Sequence, residues 1–77
     1  MYITFRLMSI ENRVRYFRFM RGELSQADLA GKAGVSRQTI VAIEKGNYNP
    51  SVELALRLAR SLATTVEDLF ALVEDAP

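Results

Sequence analysis

The tripeptide Gly34-Val35-Ser36 constrains the fold more than any other part of this sequence, because it alone separates two short helical patterns. Gly34 suits the left-handed conformation that ends a helix, and Ser36 follows at once as an N-cap. Two helices joined so closely must cross steeply, and they can approach each other only where their facing residues are small. Ala30 and Ala33 provide that space. The sequence therefore predicts a pair of short helices packed across a tight turn.

Capping patterns predict where the other helices begin. Ser25 stands before the second helix, Ser51 before the fourth and Thr65 before the fifth, each in a position to accept a hydrogen bond from the first turn. Apolar residues spaced by three and four predict a first helix over about 10–21. The remaining helices are expected over about 25–33, 37–45 and 51–62, with a last helix after Thr65 that includes Phe70 and Val73.

The N-terminal segment follows a different rule. Ile3, Phe5 and Leu7 alternate with polar or aromatic neighbours, which predicts a strand over residues 2–7. Such a strand needs a partner within the chain or in a second copy. The alternative is a disordered tail, with Met8 as the true start. We thus expect an all-α, five-helix bundle over residues 10–77, preceded by an extension over 1–9 that contains the short strand.

Composition excludes several classes of function. The 77 residues hold neither Cys nor His, which removes disulfides, zinc fingers, thiol nucleophiles and the commonest general base. We expect no metal, no cofactor and no enzyme activity. No apolar run or leader pattern points to a membrane or to secretion, so the cytoplasm is expected.

Charge is divided unevenly along the sequence. Residues 1–50 carry eight basic and four acidic side chains, and residues 51–77 carry two basic and five acidic ones. This polarity suits a protein with one face toward a polyanion.

The exposed side of the third helix has a specific chemistry. Ile40 and Ile43 are predicted to enter the core with Leu29, which turns another set of side chains outward. Arginine can pair with guanine, glutamine can pair with adenine, and small apolar groups can contact the thymine methyl. The predicted contacts to base edges are Arg37, Gln38, Val41 and Ala42.

Groups suited to phosphate surround that helix. Gln26 lies at the N-terminus of the second helix, where backbone N–H groups attract anions. The loop after the third helix adds polar and cationic side chains that would fix register without reading sequence. The predicted phosphate contacts are Gln26, Lys45, Asn47, Tyr48 and Asn49.

The stretch SQADLAGKAGVSRQTIVAIEKGNYNPS resembles the DNA-binding core of the Cro and lambda-repressor-like (XRE-type) family. The resemblance covers about residues 10–72, and it implies a bundle that binds operator DNA as a dimer. It also adds Thr39 to the base-contacting positions and pairs Arg18 with Glu44 as a structural ion pair. Two departures from the family pattern are Glu23, which resembles a one-residue insertion, and Ala63, where the family often has glycine.

The C-terminal part is more apolar than so small a bundle requires. Some of these side chains are therefore expected between two subunits, although they could all belong to the core. The expected interface residues are Leu56, Leu69, Phe70, Leu72 and Val73.

The sequence predicts a small dimeric transcriptional regulator that binds double-stranded DNA at a roughly palindromic operator. Its third helix, at about 36–45, would enter the major groove. A different hypothesis is a protein-interaction module, such as an antitoxin-like partner, that uses the apolar C-terminal helix and binds DNA only secondarily. The first hypothesis thus predicts a homodimer, and the alternative adds a possible protein partner.

Overall fold

The computed structural model describes residues 8–74. They form five helices and a two-stranded sheet that pairs the two ends of the described chain. Strand β1 spans Met8–Asn12, helix α1 Val14–Met20, α2 Gln26–Ala33, α3 Arg37–Glu44, α4 Val52–Ser61 and α5 Val66–Leu69, and strand β2 spans Phe70–Glu74. The strands pair antiparallel, with Met8 opposite Glu74 and Asn12 opposite Phe70. The described part of the chain thus has the predicted five-helix architecture.

The helices begin at the caps that the sequence predicts. The Ser25 hydroxyl accepts from the Asp28 N–H at 2.9 Å, and the Ser36 hydroxyl accepts from the Thr39 N–H at 3.2 Å. Equivalent bonds of 3.1 Å start the fourth and fifth helices at Ser51 and Thr65. Each cap satisfies an N–H group that has no partner inside its helix, and such a bond stabilises a helix by about 1 kcal/mol.

The core lies where α2, α3 and α4 meet. Leu29, Ile40 and Leu58 are fully buried there, and burying each such side chain contributes roughly 1.5–3 kcal/mol. Ala30 and Ala33 are also buried, so α2 and α3 approach through the small residues that the sequence indicated. The remaining fully buried side chains are Val14, Ile43, Leu62 and Leu69.

The N-terminal strand differs from the prediction. The segment 2–7 lies outside the described residues, and the described strand is β1, which crosses the boundary predicted between residues 9 and 10. The prediction that the first helix starts near residue 10 is wrong. Asn12 explains the change, because its side-chain oxygen accepts from the Val14 N–H at 3.2 Å while its amide donates to the Ile43 carbonyl at 2.8 Å. This side chain therefore ends the strand and starts α1.

The last helix is shorter than predicted. It ends at Leu69, and Phe70 has extended backbone angles of φ −125° and ψ 140°. The prediction that Phe70 and Val73 lie in this helix is wrong. The Arg13 N–H donates to the Leu69 carbonyl at 2.8 Å, and β2 continues the same ladder. Pairing with β1 gives hydrogen-bond partners to the backbone N–H and C=O groups that follow so short a helix.

The two departures from the family pattern both have left-handed backbone. Glu23 has φ 56° and Ala63 has φ 52°, a conformation that costs a residue with a Cβ roughly 1 kcal/mol. The Arg21 guanidinium donates to the carbonyls of Leu62 at 2.8 Å and Ala63 at 3.1 Å. These bonds hold the strained end of α4 against the end of α1.

Candidate nucleic-acid interface

The turn between α2 and α3 sets the orientation of the candidate site. Gly34 has φ 75°, and its N–H and that of Val35 both point to the Ala30 carbonyl. Ser36 then caps α3, and its hydroxyl also lies 3.0 Å from the Thr39 hydroxyl. The turn is therefore closed by local hydrogen bonds, which fix where the first turn of α3 begins.

The buried side of α3 determines which residues face outward. Ile40 and Ile43 are 0% and 1% exposed, so the helix cannot rotate without opening the core. Arg37 and Gln38 are exposed in the first turn, and Thr39, Val41 and Ala42 are partly exposed. The structure thus places the predicted base-contacting residues at the accessible start and outer side of one helix.

A chain of hydrogen bonds connects α1, α2 and α3 beneath this surface. Arg18 donates through Nε and one terminal nitrogen to the two oxygens of Glu44, at 2.7 and 3.0 Å, and to the Leu24 carbonyl at 2.7 Å. Gln26 donates to Glu44 at 3.3 Å and accepts from Arg37 at 3.1 Å. The Arg18 and Glu44 side chains are only 16% and 9% exposed, so their charges are paired in a mostly dry environment.

An open cleft of about 550 Å³ lies over this network. Its cationic wall consists of Arg15, Arg37 and Lys45, all exposed, while the one acid among its lining residues, Glu44, is paired with Arg18. The N-terminus of α2 adds Ser25 and Gln26 to the lining. The cleft therefore carries net positive charge beside the start of a helix, which suits an anion such as phosphate.

The loop after α3 lies next to the cleft. Gly46 adopts φ 79°, and the Asn47 N–H donates to the Ala42 carbonyl at 2.9 Å, which closes the end of the helix. Lys45, Asn47, Tyr48 and Asn49 are all exposed in this part of the chain. Their side chains are thus free to contact a ligand that lies along α3.

The predicted interface residues do not form one exposed surface. Leu56 and Leu72 are 57% and 64% exposed, and Phe70 and Val73 are partly buried. Leu69 is fully buried in the core of the same protomer. Leu56 and Phe70 line an apolar groove of about 370 Å³ that also includes Ile10, Val52 and Val66.

Sequence reasoning missed two features of the site. Arg15 is not among the predicted phosphate contacts, but it lines the cleft together with Arg18 and Arg37. Its spacing of three from Arg18 was the available signal, because residues three apart share one side of a helix. The contact between Gln26 and Arg37 had no signal in the sequence, since it depends on the conformations of two long side chains.

The capped turn, the buried α2–α3 contact and the polar outer side of α3 define a helix-turn-helix domain. A helix-turn-helix family model matches residues 18–69. The chain belongs to this family of XRE-type transcriptional regulators, as its resemblance indicated, and the family consists of DNA-binding proteins rather than enzymes. Family membership favours DNA binding over the alternative of a protein-interaction module.

One relative and two solved structures are similar to this chain. An uncharacterized HTH-type transcriptional regulator of Methanocaldococcus jannaschii is 47% identical over 66 residues, which cover 86% of this chain and 98% of that protein. The crystal structure of the restriction-modification controller protein C.AhdI from Aeromonas hydrophila matches with TM-score 0.68 and 34% identity, covering 73% of this chain and 83% of its own. The transcriptional regulator VanUg shares the fold at TM-score 0.71 and 19% identity, over 97% of this chain and 99% of its own.

Among residues 8–74, no helix is long and apolar enough to cross a membrane. The same range contains no group of three or more acidic side chains arranged to hold a metal ion.

Proposed function

We propose that this chain binds double-stranded DNA sequence-specifically, with α3 in the major groove. The observation that carries the proposal is the outward set Arg37, Gln38, Val41 and Ala42 on a helix whose rotation is fixed by Ile40 and Ile43. Arg37 and Gln38 occupy the first turn, which in this type of motif meets the base edges. The Thr39 hydroxyl lies within hydrogen-bond distance of the Ser36 hydroxyl. Thr39 would add a further contact to the bases.

Phosphate contacts would come from the cleft and from the loop that follows α3. Gln26 and the cationic wall, which includes Lys45, line the cleft, and Asn47, Tyr48 and Asn49 lie in the adjoining loop. These groups carry no base preference, so they would add salt-dependent affinity and hold α3 in register.

We further infer a homodimer on a roughly palindromic operator. Leu56, Leu72 and the partly buried Phe70 and Val73 would form the contact between protomers, and Leu69 is left out because it is already buried. A two-fold dimer presents one α3 to each half-site, at about 34 Å centre to centre. We propose that it acts on the chromosome in the cytoplasm. It would control transcription by occupying the operator.

The test is binding-site selection from a random duplex library at fixed salt, with the Arg37→Ala, Gln38→Ala double variant beside the wild type. We expect the wild type to enrich a palindromic sequence. Each single substitution should weaken binding to that sequence by roughly 1–3 kcal/mol, and it should change binding to random duplex far less.

Two results would contradict the proposal. The first is a wild-type chain that binds only with salt-sensitive, sequence-independent affinity. The second is a double variant that enriches the same sequence with the same affinity, because α3 would then not be reading the bases. Matched circular dichroism melts of the wild type and the variant exclude unfolding as the cause of any loss.

A further inference from the structure

An apolar groove lies between the sheet and α4, and the proposed function assigns only part of it. Its volume is about 370 Å³, and Val52 and Leu56 are 78% and 57% exposed there. Single exposed apolar side chains are ordinary, but adjacent ones around a groove indicate a binding surface. The lining includes Val52 and Leu56 of α4, Val66 and Glu67 of α5, and Ile10 and Phe70 of the sheet.

The apolar surface continues from the groove along one face of the sheet. Ile10 and Leu72 lie directly opposite each other in the ladder, and Phe70 precedes Leu72 by two residues. Opposite residues and residues two apart on a strand share a face, so these three side chains lie on one side of the sheet. Ile10 and Leu72 are 40% and 64% exposed. The groove and this face therefore form one long apolar surface, which suits an extended segment.

Residues 1–7, which we call the arm, have the chemistry of such a segment. They lie outside the described residues, and they join the described chain at Met8, two residues before Ile10. Ile3, Phe5 and Leu7 alternate along the arm. Alternate side chains of an extended peptide can enter one groove together, so the arm matches the shape and polarity of the surface.

Charge agrees with this occupant. Among the described residues, Glu67 is the only charged side chain that lines the groove. Glu67 also lines two neighbouring pockets, and the charged side chains of all three spaces are Glu11, Glu67, Asp68, Arg13 and Arg60. Three acids there face two bases, so one further cation is favourable. Arg6 is the only charged side chain of the arm, and it adjoins Phe5.

The arm of the same protomer is badly placed to enter the groove. The groove lies toward the end of the sheet where Asn12 pairs with Phe70, next to α5. Met8 pairs with Glu74 at the other end, about 13 Å away along the strand. Extending β1 beyond Met8 thus leads away from the groove. Residues 1–10 contain none of Gly, Pro, Asn and Asp, which favour a tight reversal, so a second protomer is the better source of the arm.

We propose that the arm of one protomer docks in the apolar groove of the other, and that two such contacts hold the dimer together. Phe5 and its apolar neighbours enter between α4 and the sheet, and Arg6 approaches Glu67. This inference rests on the homodimer of the proposed function and adds the segment that closes it. Helix α3 takes no part in the exchange, so base recognition can stand without it.

The test is the dimer dissociation constant of variants of the full chain, measured by sedimentation equilibrium. Phe5→Ser removes the largest apolar side chain of the arm's alternating set. Val52→Asp places a charge in the groove, at the exposed first position of α4, where an acidic residue is compatible with the helix. The matched control is Phe19→Ser, because Phe19 is 67% exposed on α1 and does not line the groove.

Each of the first two variants spoils both contacts of a symmetric dimer. We therefore expect each to raise the dissociation constant about a hundredfold, or about tenfold per contact, and the control to leave it unchanged. Equal melting temperatures of all the variants exclude unfolding as the cause.

A mixture of the two variants tests the exchange between protomers. Neither variant alone has an intact contact, because one lacks the arm's Phe5 and the other has a charged groove. A mixed dimer regains one contact, between the arm of the Val52→Asp chain and the groove of the Phe5→Ser chain. The mixture should therefore associate about tenfold more tightly than either variant alone.

The inference is overturned if Phe5→Ser dimerises like the wild type, because the surfaces of α4 and the sheet would then form the contact without the arm. It is also overturned if the control weakens the dimer as much, or if the mixture is no tighter than the separate variants, which would place the arm on its own protomer. A wild type that is monomeric at every concentration contradicts the homodimer and this inference together. Failure to select any duplex contradicts base recognition alone and leaves the sedimentation result standing.

Discussion

At the scale of single residues, Glu44 is the point through which three helices are joined. Its two oxygens accept from Arg18 on α1 and from Gln26 on α2, and Gln26 in turn accepts from Arg37 at the start of α3. Arg37 is exposed, yet one of its nitrogens is already directed by this chain of bonds. A side chain that is oriented in advance loses less entropy when it meets a base.

We predict that Glu44→Ala destabilises the fold by roughly 2–3 kcal/mol, because it leaves the Arg18 guanidinium mostly buried without its carboxylate. Urea denaturation followed by circular dichroism measures the effect. Glu44→Ala should also weaken discrimination at the base that Arg37 contacts, because Arg37 loses the chain of bonds that orients it. The same selection from a random duplex library measures this loss.

The matched control is Glu53→Ala. The ion pair between Glu53 and Arg57 is 2.8 Å long, close to the 2.7 Å between Arg18 and Glu44, but its side chains are 74% and 55% exposed. An exposed pair of this kind contributes less than about 0.5 kcal/mol. Equal losses in the two variants would show that burial does not determine the importance of Glu44.

Residue identity predicted the chemistry of the site, but it did not predict all of the contacts between its side chains. The outward set on α3 followed from helical period alone, and the family resemblance paired Arg18 with Glu44. The bond between Gln26 and Arg37 did not follow, because periodicity places a Cα on a face but does not fix the far end of a long side chain. Leu69 was assigned to an interface because apolarity alone does not distinguish a core from a contact between subunits.

At the scale of elements, the α2–α3 unit depends on backbone conformation at a single glycine. Gly34 has φ 75°, and a Cβ built there would lie 3.3 Å from an Arg57 terminal nitrogen. Gly31, in the middle of α2, has ordinary helical backbone, and a Cβ built there would meet no atom within 4 Å. Replacing the two glycines with alanine should therefore change the stability of the domain in opposite directions.

We predict that Gly34→Ala destabilises the domain by about 1 kcal/mol, because alanine is strained in the left-handed region. Gly31→Ala should stabilise it by about 1 kcal/mol through helix propensity. Thermal unfolding of the two variants beside the wild type gives both values. Stabilisation by Gly34→Ala would mean that the turn rearranges without cost.

Helix starts were predictable and strand positions were not, for a physical reason. Ser25, Ser36, Ser51 and Thr65 act on N–H groups three residues away, so the signal and its effect lie within one short window. Strand β1 depends on β2, which is about sixty residues distant in the chain. The apolar spacing near residue 10 fits a helix equally well, and only the partner decides between the two.

At the scale of the whole molecule, charge is divided between the two ends of the sequence. The sums are +4 for residues 1–50 and −3 for residues 51–77, obtained as eight minus four and two minus five. The cationic cleft and α3 belong to the first part, and the apolar groove with Leu56 and Phe70 belongs mostly to the second. An approaching polyanion is thus attracted to α3 and not to the face assigned to the second protomer.

We predict that Arg15→Ala and Lys45→Ala each reduce the dependence of DNA affinity on salt. The slope of log K against log salt concentration should fall by about 1 per protomer, because each lost cation releases one counterion fewer. Filter binding or anisotropy at several salt concentrations gives the slope.

Arg60→Ala is the control for this measurement, since Arg60 is exposed on α4 and does not line the cleft. It should leave the slope unchanged. A slope that falls equally in all three variants would indicate a diffuse field of the whole chain rather than contacts at the cleft.

The pairing of β1 with β2 has a consequence for synthesis. Strand β1 leaves the ribosome before any helix, while β2 leaves after all five of them. Asn12, which holds the end of α3 through the Ile43 carbonyl, sits at the end of the early strand. The helices can pack as they emerge, but the sheet that fastens the two ends of the domain closes only when translation has passed Glu74.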